Sequence, residues 1–94
     1  RDMAMIRVTH RSGGTYDVTV EEGGSSTHHE VTVWPSDVER YAPGAEPEAL
    51  VETSFGFLLQ REPKEAILRR FELPLIERYF PEYPRVIGAM VGNP

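Results

Sequence analysis

Hydrophobic and polar residues alternate through the first third of the chain. Ile6, Val8, Val18, Val20 and Val31 stand on one side of this alternation, with threonine or charged residues at the positions between. Alternation with period two, built from β-branched residues and interrupted by glycine, is typical of strands that bury one face. The pattern predicts an antiparallel meander of three strands, over residues 4–10, 15–21 and 28–34.

The same alternation predicts how the strands pair. Val8 opposite Val18 leaves a three-residue loop at residues 12–14, where glycine can take a left-handed conformation. Val18 opposite Val31 places residues 24–25 at the tip of the second hairpin, and glycine at the first position of such a loop is typical of a type II′ turn.

The third predicted strand ends at Trp34 and Pro35, because proline has no N–H to donate to the ladder. Ser36 and Glu39 then have the spacing of a capping box, in which a serine side chain and a glutamate side chain cap the first turn of a helix. We therefore predict a short helix that begins after Ser36.

Apolar residues in the second half recur at helical spacing and are divided by prolines. Pro47 suits the first turn of a helix, whereas Pro63 and Pro74 disfavour a helical conformation in the residue before them. Val86 and Ile87 indicate a further short helix near the C-terminus. The pattern predicts three principal helices, over residues 47–61, 64–71 and 74–80.

A sheet with one apolar face needs a cover, so we predict an α+β fold whose helices pack on one face of the sheet. The length fits a single small domain over residues 1–94. Two residues precede the first methionine, which we interpret as a trimmed start with Met3 or Met5 as the native one. Residues 92–94 are expected to be frayed.

Composition narrows the classes of function. Residues 1–60 hold four Lys or Arg against ten Asp or Glu, and residues 61–94 hold six against five, for a net charge of −5. This acidic balance does not favour nonspecific binding to nucleic acid. The absence of cysteine suits a reducing compartment, so we expect a cytoplasmic protein, and no apolar run is long enough to predict a membrane span.

The three histidines are the candidate metal ligands, since neutral imidazole often binds metal ions. In an up-down-up meander His10 lies at the first loop, whereas His28 and His29 lie at the second, at the other end of the sheet. His28 and His29 also point to opposite faces. We therefore expect histidines at the rim of the sheet, and neither a metal site nor another cofactor.

Catalytic groups are equally sparse. Acid–base catalysis needs two carboxylates in one pocket with separated pKa values, but Glu48 and Glu65 flank predicted helix starts, where the helix dipole accounts for them. Ser54 is predicted inside a helix, and no serine lies in a Gly-x-Ser-x-Gly motif. We do not expect an enzyme.

Two motifs mark the helical half. Residues 54–68 have the pattern Ser-Phe-x-Phe-Leu-Leu-x-Arg-Glu-Pro-x-x-x-Ile-Leu, and residues 79–83 are Tyr-Phe-Pro-Glu-Tyr. On these motifs the chain resembles a family of short uncharacterised bacterial proteins, over somewhat less than half of its length. The resemblance implies no particular activity, cofactor or catalytic residue.

Aromatic and basic residues crowd the end of this half. Tyrosine combines a large contact area with a polar tip and therefore serves interfaces well. We predict a non-catalytic interaction or regulatory module that binds a protein partner or self-associates, for example as a homodimer, because the sheet leaves two edges. The candidate interaction surface comprises Trp34, Arg78, Tyr79, Phe80, Tyr83 and Arg85.

A small ligand-binding protein or enzyme is the alternative. It would use a cleft between sheet and helices, with His10, Tyr16 or Trp34 at its mouth. Convergent polar groups with shifted pKa values would favour this alternative, and a solidly filled interface between sheet and helices would oppose it.

Nucleic-acid binding is the third hypothesis. Arg69, Arg70, Arg78 and Arg85 could form a basic stripe on two helices that resemble a helix-turn-helix. The second of these helices, at residues 75–80, is too short and too apolar to present several side chains to base edges. Nucleic acid is therefore not an expected partner.

Overall fold

The sheet of the computed structural model has four strands in the order β1-β2-β3-β4, and the model describes residues 3–92. The interpretation of a trimmed start concerns residues outside this range, and so do two of the three residues expected to be frayed, 93 and 94, whereas Gly92 is the last residue of a helix. The strands are β1 (Met5–Ser12), β2 (Thr15–Glu22), β3 (Ser25–Thr32) and β4 (Arg70–Glu72). The helices are α1 (Pro35–Tyr41), α2 (Pro47–Leu59), α3 (Leu75–Tyr79) and α4 (Tyr83–Gly92), with a 3₁₀ turn at Lys64–Ala66.

The first hairpin confirms the predicted pairing of Val8 with Val18. Towards the turn the register shifts, so that Ser12 pairs with Thr15. The loop therefore holds two glycines instead of the three residues predicted. Gly13 has a φ of 53°, the left-handed conformation expected of a glycine in this loop.

The predicted register of the second hairpin is wrong by two residues. Val18 lies opposite His29 instead of Val31. The turn consists of Gly23 and Gly24, whose φ angles are 65° and 82°. Two consecutive positive φ angles suit a type I′ turn, which matches the twist of the strands and which glycine adopts at little steric cost. A slip of two residues keeps the same side chains on the inner face, so alternation alone does not reveal it.

The prediction of a helix over residues 64–71 is also wrong. β4 pairs parallel with β3, with Phe71 opposite Val31. The backbone N–H of Glu30 donates to the carbonyl of Arg69 at 2.7 Å. The edge of β3 needs partners for its backbone groups, and this segment supplies them, which overrides the helical spacing of its apolar residues. The first helix of the helix-turn-helix considered for nucleic-acid binding is therefore not formed.

α1 begins earlier than predicted. Pro35 occupies its first position, where the fixed φ of proline suits a helix. The backbone N–H of Trp34 donates to Oδ2 of Asp37 at 2.9 Å. Asp37 therefore contributes the cap, and the predicted pair of Ser36 and Glu39 does not.

The remaining helices and the α+β class are confirmed. α2 and α3 begin and end within two residues of their predicted bounds, and α4 forms where a short C-terminal helix was expected. α2 packs against β1 and α4, and the helices cover the sheet face that carries the buried Val18 and Val31. Within residues 3–92, every helix is too short or too polar to span a lipid bilayer.

Candidate functional site

An open apolar groove lies between the end of α2, the segment before β4, and α3. Its volume is about 340 Å³. Ile67, Phe71 and Ile76 are its most deeply buried apolar residues apart from Leu58 at the end of α2. We define the apolar groove by the ten residues that line it: Leu58, Glu62, Ala66, Ile67, Leu68, Phe71, Leu75, Ile76, Tyr79 and Phe80.

The rim of the apolar groove exposes two large side chains. Tyr79 is 65% exposed and Leu68 is 47% exposed. Phe80 is half-buried, because its ring packs edge-on against Phe57 with centroids 5.9 Å apart. Exposed apolar side chains beside a concave apolar surface are unfavourably hydrated, which makes the apolar groove the candidate functional site.

Glu62 is the one charged residue among those that line the apolar groove. Burial raises the pKa of its carboxyl group. Among the described residues no side chain forms a hydrogen bond or ion pair with it, since the neighbouring Arg61 contacts Glu82 at 3.0 Å and lies over the ring of Phe57 at 3.6 Å. The apolar groove therefore contains a negative charge that no nearby cation compensates.

The structure brings two of the six predicted surface residues together, Tyr79 and Phe80. Tyr83 is fully buried, and its hydroxyl oxygen lies 2.7 Å from Oγ of Ser54. Burial raises the pKa of the Tyr83 phenol. Tyr83 consequently belongs to the core and is not part of an interaction surface in this conformation.

The other three predicted residues lie outside the apolar groove. Arg78 lines a separate depression with Arg40 and Glu77, and Arg85 is exposed on α4. Trp34 is half exposed and packs closely on Gly14, since a Cβ added to this glycine would lie 2.9 Å from the indole ring. The predicted surface is therefore divided among different parts of the molecule.

Near the residues predicted to line a cleft between sheet and helices, the structure has a shallow depression with a volume of about 420 Å³. Its lining includes Tyr16, Trp34 and Glu39. His10 stacks on Tyr16 with ring centroids 4.6 Å apart, and its Nε2 lies 2.7 Å from the carbonyl oxygen of Gly13. Glu39 is the one carboxylate among the residues that line this depression. Acid–base catalysis by paired carboxylates has no second partner there.

The prediction that His29 lies at the rim of the sheet is wrong. Its side chain is in the core and is 4% exposed. Its Nδ1 lies 2.8 Å from the carbonyl oxygen of Leu68, and its Nε2 lies 2.9 Å from Oγ1 of Thr27. A carbonyl only accepts, so Nδ1 carries the proton and Thr27 donates to Nε2 when the imidazole is neutral. His29 thus holds the backbone of Leu68 beside the apolar groove. Its parity with Val31 placed it on the inner face of the strand but gave no signal of this contact.

Potential metal ligands do not converge in the described chain, which holds no group of three or more His, Asp or Glu side chains arranged around one point. His28 points away from His29 and approaches the hydroxyl of Thr19 at 3.2 Å. On the outer face of the sheet, Arg11 and Arg70 instead contact Glu30 at 3.0 and 3.5 Å. These charges are accounted for by cross-strand ion pairs.

No protein-family model matches the sequence, and no curated protein and no solved structure matches it either. The resemblance of residues 54–68 and 79–83 to a family of short bacterial proteins therefore stays a prediction. A function for this chain has to be inferred from the geometry and chemistry of the apolar groove.

Proposed function

We propose that this protein is a non-catalytic interaction module that binds a segment of a protein partner in its apolar groove. The exposure of Leu68 and Tyr79 beside a concave apolar surface carries the proposal. A cytoplasmic location belongs to it, and a sequence without cysteine is compatible with that compartment.

The energetics favour a contact surface. Full burial of a large apolar side chain stabilises by about 1.5–3 kcal/mol. Covering the exposed parts of Leu68 and Tyr79 would therefore contribute about 1 kcal/mol each. Tyr79 also keeps a hydroxyl group that can bond to a partner, and tyrosine is enriched among the residues that dominate binding energy.

The chemistry of the apolar groove gives catalysis little support. Glu62 is its one carboxylate, and the remaining lining is apolar except for the phenol of Tyr79. A general acid and a general base with separated pKa values are therefore not brought together in the apolar groove. A surface that binds without reacting is the simpler use of these residues.

Site-specific photocrosslinking tests the proposal. A benzophenone amino acid is introduced at Tyr79, and the same amino acid at Trp34 serves as the matched control, because Trp34 is also half exposed but lines another depression. After irradiation in cells, we expect a discrete protein adduct from position 79 that Leu68→Ser abolishes. An adduct of two copies of this chain would identify self-association through the apolar groove and would also support the proposal.

Two results would contradict it. One is the absence of any protein adduct from position 79. The other is the same set of adducts from positions 79 and 34, unaffected by Leu68→Ser.

A further inference from the structure

We propose that the apolar groove selects protein segments in which a lysine or arginine stands next to large apolar residues, with Glu62 as the residue that determines this specificity. This inference rests on the proposed function, because it names the chemistry of the partner that the same site would bind. The other side chains of the apolar groove contribute most of the binding affinity, and Glu62 selects segments that carry a positive charge.

The lining of the apolar groove carries a single charge. Glu62 is the only side chain with a full charge among the ten that line the apolar groove. A segment that covers Leu68 and Tyr79 must therefore pass close to this carboxylate. The backbone fixes the position of this charge, because Glu62 lies three residues beyond α2 and its N–H donates to the carbonyl of Leu58 at 2.9 Å.

The cations near Glu62 are engaged elsewhere. Arg61 donates from Nε to Glu82 at 3.0 Å and from Nη1 to the carbonyl of Phe57 at 3.0 Å. Nζ of Lys64 donates to Glu65 at 2.9 Å. Glu62 is itself half-buried beside the apolar side chains of the groove, and this burial raises the pKa of its carboxyl group because it removes part of the water around the charged form.

The unpaired carboxylate weakens the binding of segments without a cation and strengthens the binding of segments with one. A purely apolar segment would remove water from Glu62 without replacing its hydrogen bonds, and an unpaired buried charge is costly. A segment with a lysine or arginine would instead form a charge-assisted hydrogen bond, which strengthens as water is excluded. The apolar groove therefore discriminates against segments that lack a cation.

The open shape favours a protein segment over a small amphiphilic amine. Leu68 and Tyr79 stand at the rim, where they stay largely exposed unless a ligand extends beyond the apolar groove itself. A peptide covers the rim as well as the floor, because its successive side chains contact successive parts of the surface. A small amine would cover the floor and Glu62 alone.

Selection from a library of displayed random dodecapeptides tests the inference. The library is panned against the wild-type protein, Glu62→Gln, Glu62→Lys and the control Glu52→Gln, which removes an exposed carboxylate outside the apolar groove. We expect wild type and the control to enrich lysine or arginine beside large apolar residues. Glu62→Gln should lose the basic preference but keep the apolar one, and Glu62→Lys should enrich aspartate or glutamate instead.

Affinities of the selected peptides then give the size of the effect. A basic peptide selected on wild type should bind Glu62→Gln about tenfold more weakly. Glu62→Gln is expected to fold normally, because it removes a partly desolvated charge. Circular dichroism of each variant checks this before panning.

The outcomes separate the two proposals. Peptides that need Leu68 and Tyr79 for binding but show no basic preference would overturn the role of Glu62 and leave the proposed function standing. No enrichment on wild type, or enrichment that Leu68→Ser/Tyr79→Ser does not reduce, would overturn both. Saturable binding of dodecylamine to the apolar groove without any peptide enrichment would also overturn both, in favour of a small-molecule site.

Discussion

The buried pair of Ser54 and Tyr83 offers a quantitative test of how the core is built. Both residues are fully buried, and their hydroxyl oxygens are 2.7 Å apart. Removing one hydroxyl leaves the other without this partner in the core, which costs about 1–3 kcal/mol, whereas removing both can be nearly neutral. The two substitutions should therefore not be additive.

The surroundings predict which single substitution is worse. In Ser54→Ala the phenol of Tyr83 is left among aromatic rings, with Tyr41 at 5.0 Å and Phe57 at 5.2 Å between ring centroids. We expect a loss of about 2 kcal/mol in the free energy of unfolding. In Tyr83→Phe the serine hydroxyl can bond to a carbonyl in the preceding turn of α2, so the expected loss is about 1 kcal/mol.

The double variant Ser54→Ala/Tyr83→Phe should lose about 1 kcal/mol, which gives a coupling energy of about 2 kcal/mol. A domain of 94 residues is typically stable by about 5–14 kcal/mol, so all three variants should stay folded. Urea unfolding followed by circular dichroism measures each free energy from the midpoint and slope. Tyr79→Phe, at an exposed tyrosine, is the matched control and should change stability by less than about 0.5 kcal/mol.

Additive losses would refute this reasoning, because they would mean that the two hydroxyls do not depend on each other. A loss in Tyr83→Phe no greater than in Tyr79→Phe would refute it as well. Either result would imply that water or other polar groups satisfy these hydroxyls as well as the hydroxyls satisfy each other.

Three further predictions concern pH and the turns. Burial is the main cause that lowers the pKa of His29 below its ordinary 6.5. The contribution of His29 to stability is therefore complete above pH 6.5 and is lost as pH falls below that value. Thermal melts should show this loss in the wild type, and an unchanged loss in His29→Gln would contradict the prediction. Burial raises the pKa of Glu62 above its ordinary 4.5, so its contribution has the opposite sign. That contribution is complete below pH 4.5 and is lost as pH rises through the folded pKa, and Glu62→Gln should remove this part of the pH dependence in the same melts. Gly24→Ala should lower the free energy of unfolding in urea by about 1 kcal/mol, because φ is 82° at this position. Gly56→Ala in α2 is the comparison, since an added Cβ has open space at both positions, and it should raise the free energy of unfolding by about 0.5–1 kcal/mol. Equal effects would refute the role of the turn.

The pattern of residues was sufficient for much of the fold. Period two in Val8, Val18 and Val31 indicated which strand faces are buried, because successive side chains of a strand point to opposite sides. Pro47 and Pro74 marked the helix starts within a residue or two, since proline suits the first turn and has no N–H. These are local properties, which a sequence pattern reports directly.

The candidate site could be predicted only in part. Tyr79 and Phe80 were expected on a surface and lie in the apolar groove, but Tyr83, four residues after Tyr79, is buried. Composition shows that aromatic residues are available, and it does not show how α3 and α4 are rotated against α2. Glu62 gave no signal in the sequence, because its place in the apolar groove depends on how the chain folds Phe71 and Tyr79 back towards the end of α2.

The sequence by itself determined the alternation of buried and exposed positions, the approximate ends of most elements and the α+β class, because these follow from backbone geometry and local sterics. Only the tertiary structure decided the register of β3, the strand at residues 70–72 where the helix predicted over 64–71 would have ended, and the burial of His29. A two-residue slip leaves the inner face unchanged, and a short apolar segment suits a helix or a strand. The register depends on which two residues form the turn before β3, whereas the other two choices depend on partners elsewhere in the chain: the open edge of β3 and the carbonyl of Leu68.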